Sequence, residues 1–220
     1  MMIKNEPLGD QLARELRRGI LSGTRQPGEL LIEKTLSEEY GLSRGPVRDA
    51  FQQLKQEGLI EPVGRSYRVC AVMAEDIMEF VDVRMALEML AVERAMGRNP
   101  DWSAARDAVA AMHAAADVND PKAFAYADLA FHTALIEATP QRRLNETYRT
   151  LRRTLETLLE MNPELLEDDA VSTANEHEEL LNAIETGDKR WRHLLRQQLY
   201  AGLQLLLNRF GEQWGRNDAN

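Results

Sequence analysis

The sequence predicts a mainly α protein in two parts: an N-terminal helical unit closed by a β-hairpin, and a C-terminal all-α six-helix bundle. Three observations carry this expectation. Apolar residues recur at helical spacing along most of the 220-residue chain. Strand signals are confined to one stretch, 59–72, folded around a glycine-containing turn. Charge also divides unevenly: residues 1–74 hold eleven Lys/Arg against ten Asp/Glu, while residues 75–220 hold sixteen against twenty-six. The boundary is accordingly drawn between 74 and 75, although no Gly or Pro linker marks it.

Leu8, Leu12, Leu16 and Ile20 fall four apart and predict a first helix, stopped by Gly23 and Pro27-Gly28. A short second helix reads from Ile32 to Tyr40, with Leu36 inward. Gly41 supplies a tight turn, and Ser43 is the expected N-cap of a third helix. Pro46 sits in that helix's first turn, where a missing N–H costs little. Val47, Ala50, Phe51 and Leu54 form its buried face, and Gly58 ends it. Leu59–Val63 and Tyr67–Val72 then flank Gly64-Arg65-Ser66 as a small hairpin. Helix, helix, turn, helix, hairpin is the order of a winged helix-turn-helix. From Ala74 onward six helical stripes run over 75–97, 101–117, 121–138, 141–161, 168–186 and 188–213, separated by Pro-, Gly- and Asn-containing turns.

Composition narrows the function classes. No stretch approaches eighteen uninterrupted apolar residues, so no membrane span is expected. The first fifteen residues mix Lys4, Glu6, Asp10 and Arg14 with single apolar residues, unlike a signal peptide. A lone Cys70 excludes an intramolecular disulfide framework and a cysteine zinc site, and fits a reducing cytoplasm. The net charge of −9 repels nucleic acid at range, so any DNA contact must come from a locally basic N-terminal element.

The helix from Ser43 supplies such an element. Arg44 and Arg48 lie one turn apart near its N-terminus, the end that enters a major groove. Gly45 lets the backbone approach phosphates, while Lys34 and Arg65 are placed to hold the flanking strand. The run Leu30-Leu31-Ile32-Glu33-Lys34-Thr35-Leu36-Ser37-Glu38-Glu39-Tyr40-Gly41-Leu42-Ser43-Arg44-Gly45-Pro46-Val47-Arg48-Asp49-Ala50-Phe51-Gln52-Gln53-Leu54 closely resembles the DNA-binding signature of the GntR family. That resemblance spans most of residues 8–72. It implies contacts to double-stranded DNA from Lys34, Ser43, Arg44, Gly45, Pro46, Arg48 and the wing residue Arg65. For a homodimer the operator is then an inverted repeat.

In the helical part, Asp128 and His132 share a helix face at i and i+4, and His177 stands on a later helix. A carboxylate and two imidazoles converging in a bundle can hold a divalent metal; a hydrogen-bonded Asp–His pair is the plainer alternative. Residues 77–207 resemble the FadR C-terminal effector domain through Asp128-x-x-x-His132, Glu176-His177 and the ending Ala183–Asp188, with Arg84 and Glu88 in its first helix. The resemblance implies zinc or nickel held by one Asp and three His, assisting a carboxylate effector. Here the third histidine falls on Leu199, leaving Asp128, His132 and His177. His193 lies six residues earlier, roughly 240° around the helix. The effector-binding set expected is Arg84, Glu88, Asp128, His132, Gln141 and His177, with Gln141 standing where relatives carry an asparagine. Arg84 can equally pair with Glu88, four residues on.

The function this predicts is a ligand-responsive DNA-binding regulator, a repressor by preference, and not an enzyme. Two rivals remain: a metal-dependent enzyme using Asp128, His132 and His177, and an architectural DNA binder whose bundle only dimerises.

Overall fold

The computed structural model describes residues 6–161 and 170–214, which hold nine helices and one three-stranded sheet. The chain separates into two compact units, Met1–Val72 and Met73–Asn220. Among the described residues no helix is long and apolar enough to cross a membrane.

The first unit is built from α1 (Leu8–Leu21), β1 (Leu30–Leu31), α2 (Glu33–Tyr40), α3 (Arg44–Gln56), β2 (Ile60–Val63) and β3 (Ser66–Val69). Leu12, Leu16 and Ile20 of α1 are buried, whereas Leu8 is 53% exposed, so the predicted stripe begins one turn later than its spacing suggested. α1 packs on α3 at a close crossing: a Cβ on Gly9 would sit 2.8 Å from Asp49 Cβ, so only glycine fits there. Arg17 of α1 reaches Glu57 at the end of α3 through two parallel 2.7 Å bonds, and both side chains are buried. α2 ends at Gly41, whose φ of 64° is the left-handed turn glycine takes without strain. The wing is antiparallel in the order β1-β3-β2, with Leu31 opposite Tyr67 and Ile60 opposite Val69. β1 is an addition to the predicted hairpin, two residues being too few to show a period.

The second unit comprises α4 (Ala74–Met96), α5 (Ser103–Asp117), α6 (Pro121–Glu137), α7 (Arg142–Met161), α8 (Ala170–Thr186) and α9 (Trp191–Trp214). The predicted start of α8 at 168–169 lies outside the described residues. α6 begins cleanly: Pro121 occupies its first turn and the Asp120 carboxylate accepts the Ala123 N–H at 2.9 Å. Small residues on α5 (Ala105, Ala108, Ala115) let it lie close against α6 and α8. α4 packs on α6, α7 and α9, which places residues of α4, α6 and α8 around one interior point. Phe124, Phe131, Leu135, Tyr148 and Trp191 fill the surrounding core.

Candidate nucleic-acid interface and candidate metal centre

α3 opens at Arg44, and Ser43 precedes it in extended geometry (φ −70°, ψ 165°). Ser43 stands at the N-cap position, yet its hydroxyl makes no capping bond. Arg44 and Arg48, one turn apart, are each 65% exposed and both turn toward Glu33 at the start of α2. Arg48 Nε donates to Glu33 Oε2 at 2.8 Å, while Arg44 Nε stands 3.6 Å from Oε1. That hydrogen bond holds the Glu33 carboxyl below the ordinary carboxylate range. Sequence reasoning did not single out Glu33; its partners lie eleven and fifteen positions away across the turn, beyond any local spacing rule.

Lys34 is exposed, 3.8 Å from Glu38. A Cβ on Gly45 would meet nothing within 4 Å, so the space beside it is open rather than filled by the protein. Pro46 lies in the first turn of α3. Arg65 is exposed at the wing tip next to Gly64, whose φ is +61°. With Arg48, Gln52, Ser66 and Tyr67 it lines a cleft of about 330 Å³ between α3 and the wing. Phe51 supports the cleft from inside, its ring 4.8 Å from that of Tyr67.

In the second unit, Asp128 Oδ1, His132 Nε2 and His177 Nε2 converge. The separations are 3.1 Å for Asp128–His177, 3.4 Å for the two imidazoles and 3.9 Å for Asp128–His132. Both histidines are buried. Their partners assign the tautomers: His132 Nδ1 faces Glu88 Oε2 at 2.7 Å, and His177 Nδ1 faces the Thr173 carbonyl at 2.7 Å. Both of those groups accept, so each Nδ1 carries the proton and each Nε2 turns a lone pair inward. Phe131 keeps the rings in place, edge-on to His132 and His177 at 5.3 and 4.9 Å.

Two lone pairs and a carboxylate oxygen at these distances repel unless a proton or a cation stands among them. Donors about 2.0–2.2 Å from a cation, at angles of roughly 90–110°, lie about 3.0–3.6 Å apart. The 3.1 and 3.4 Å separations fit, and the 3.9 Å one closes with a small shift of Asp128. Burial works against the Asp128 carboxylate, yet a proton on His177 Nε2, which stands there when no cation does, together with the nearby His132 and Arg84, holds it well below the usual range.

Glu88 corrects one expectation. Its side chain has no exposure: Oε1 accepts from Arg84 Nε at 2.7 Å and Oε2 from His132 Nδ1 at 2.7 Å. It stands behind the two residues a ligand would meet and orients both. Despite its burial, the His132 Nδ1–H and the Arg84 guanidinium hold it below the ordinary carboxylate range. Arg84 therefore does pair with Glu88, but only through Nε; its terminal amino groups make no protein hydrogen bond among the described residues. Arg84 and Asp128 together line a cavity of about 60 Å³. Gln141 is a second correction. Its carbonyl accepts from Asn145 at the start of α7, its N–H donates to the Thr139 carbonyl, and it does not line the cavity. Leu199 is buried and does line it, whereas His193 is exposed.

A winged helix-turn-helix joined to a helical bundle with a buried Asp–His–His cluster has the build of a transcription regulator carrying a sensor domain. Comparison with known proteins gives the family. The profile described as bacterial regulatory proteins, gntR family, matches residues 8–66, and the FCD domain matches residues 79–199. The HTH-type transcriptional repressor GlaR of Escherichia coli (strain K12) is 30% identical over 216 residues, 88% of this chain and 93% of that one. The gluconate operon transcriptional repressor of Bacillus subtilis (strain 168) is 28% identical, covering 94% and 86%. A crystal structure of a GntR-type regulator from Rhodococcus sp. RHA1 superposes with a TM-score of 0.61 at 27% identity, covering 90% and 97%. Escherichia coli McbR/YncC, with a TM-score of 0.68 at 22% identity over 95% and 100%, shares the fold. The chain belongs to the GntR family, FCD subfamily: it is a DNA-binding transcriptional regulator rather than an enzyme.

Proposed function

We propose that this regulator is a homodimeric cytoplasmic repressor that releases an inverted-repeat operator when a carboxylate metabolite binds beside Asp128, His132 and His177. The observation that carries the reading is the shared tautomer of the two histidines: both Nε2 lone pairs and Asp128 Oδ1 face one point, at the edge of a cavity that Arg84 also lines. A divalent cation held there, zinc or nickel by its nitrogen-rich donor set, would supply the positive charge that attracts an anion. Without it, Arg84, Glu88 and Asp128 sum to −1 when both histidines are neutral; a divalent ion makes the balance +1. Three protein donors leave coordination positions for the ligand.

The DNA reading puts Arg44 and Arg48 on base edges and Lys34, Ser43, Gly45, Pro46 and Arg65 on the backbone. The names of the relatives, repressors in both cases, support the sign of regulation. Effector and DNA would favour different arrangements of the pair of winged units, with a coupling of about 1–3 kcal/mol. The test selects an operator from random duplex DNA, measures bound metal by mass spectrometry, and titrates carboxylates into the protein–operator complex. Release of DNA by a carboxylate, lost in His132→Ala and Arg84→Ala, is the outcome expected. Binding without any ligand response would favour the architectural reading.

A further inference from the structure

We propose that the effector of this protein is a monocarboxylate with a short aliphatic tail, rather than a hydroxylated sugar acid. The inference rests on the carboxylate site above and names the chemistry of the rest of the ligand. Among the described residues, Arg84 and Asp128 are the only polar side chains in the wall of the cavity. The remainder is apolar and comes from four helices: Val81 of α4, Leu129 of α6, Leu155 and Leu158 of α7, Leu203 and Leu206 of α9. Leu199, which stands where the resemblance places a third histidine, adds another apolar wall and removes a donor in the same step. A ligand anchored at Arg84 thus has its other end against hydrocarbon.

Two physical costs sort the candidates. Each methylene moved from water onto such a wall improves binding about fourfold. Each hydroxyl buried against it without a partner weakens binding by about tenfold or more. The cavity volume of about 60 Å³, at about 10–15 Å³ for each water-sized group, admits a tail of about four to six carbons.

Gly202 gives the position a test. It lines the cavity on α9, and a Cβ built on it meets nothing within 4 Å. A larger side chain there enters the open space without displacing a neighbour, and it favours the helix over glycine. Calorimetry on the full-length protein with bound zinc, using the unbranched sodium salts from acetate to octanoate and also gluconate, reads the preference directly. The expected result is a rise of about fourfold per carbon up to hexanoate or heptanoate, then a plateau or fall, with gluconate at least 100-fold weaker than hexanoate. Gly202→Leu should weaken hexanoate tenfold or more and leave acetate within twofold. Gly202→Ala should fall between them, which guards against a misfolded variant. Equal affinity along the series, gluconate tighter than hexanoate, or a Gly202→Leu profile like the parent's overturns the aliphatic tail but leaves the carboxylate site standing. No binding of any carboxylate overturns both.

Discussion

The two candidate sites, one in each unit, handle charge in opposite ways. In the winged unit Arg44, Arg48, Lys34 and Arg65 stand in water, and the carboxylates paired with the first three are exposed or partly exposed. In the helical unit Glu88, His132 and His177 are almost wholly removed from water, and their hydrogen bonds are directed at specified atoms. An exposed ion pair contributes about 0–1 kcal/mol to a fold, so the winged unit can surrender those contacts to a new partner at little cost. A buried charge must stay fully paired, which makes the helical cluster part of the fold and its chemistry conditional on what fills its centre. One unit binds with what it leaves free, the other with what it has preorganised.

The comparison predicts first that function and stability come apart in the winged unit. Arg44→Ala/Arg48→Ala should lower affinity for a selected operator by about 10²–10⁴-fold, from about 1–3 kcal/mol per bidentate base contact. The melting temperature should move by no more than a degree or two. Fluorescence anisotropy with specific and random duplexes, beside a thermal melt, decides it. Operator selectivity surviving in a folded variant would remove α3 from the groove.

In the helical unit they should fall together. Glu88→Ala leaves the Arg84 guanidinium and His132 Nδ1 without their buried acceptor, a loss of about 3–5 kcal/mol by analogy with broken buried pairs. Because Glu88 orients His132, metal affinity should also drop about 10–100-fold. Guanidinium denaturation and competition with a zinc chelator measure the two effects. A variant within 1 kcal/mol of the parent would show that the 2.7 Å contacts do not bear on stability.

A weaker effect separates the units by ligand. Zinc at 100 times its dissociation constant should stabilise the protein by about 2.7 kcal/mol, through the helical unit alone. Hydrogen-exchange mass spectrometry should therefore show new protection in α4, α6 and α8 and none in α1–α3. His177→Ala should abolish it. Protection spread evenly over the winged helices would contradict metal binding at Asp128, His132 and His177.

The same contrast explains what the sequence disclosed. Period and turn chemistry sufficed for the helices, and Asp128 with His132 was visible as one face of α6. The pairing of Glu88 with His132 spans 44 positions and is set by how α4 crosses α6, which no local pattern encodes. Thr173 contributes a backbone carbonyl, invisible to side-chain motifs. Gln141 went astray because the turn before α7 uses its backbone to start the helix. Arg17 hid for the opposite reason: a basic residue beside an apolar stripe, one of three on α1, reads as solvated until Glu57 is found next to it.

The smallest expected effect concerns Glu33, where the two arginines already have an acidic partner before DNA arrives. Glu33 draws both guanidinium groups to one point, at 2.8 and 3.6 Å, so it competes with phosphate for their charge while holding their direction. Glu33→Gln removes the competition and loosens the direction. Affinity for random duplex should rise a few-fold, and its logarithm should fall more steeply with the logarithm of salt, by up to about one further counterion. Selected operator should gain less, so the ratio of specific to random binding declines. At about 0.3 M salt the difference in random binding should nearly vanish, because screening already weakens an exposed pair. A filter-binding series from 0.05 to about 0.3 M salt reads both slopes. If Glu33→Gln instead lowered random-duplex affinity, Glu33 would be presenting the arginines to DNA rather than restraining them.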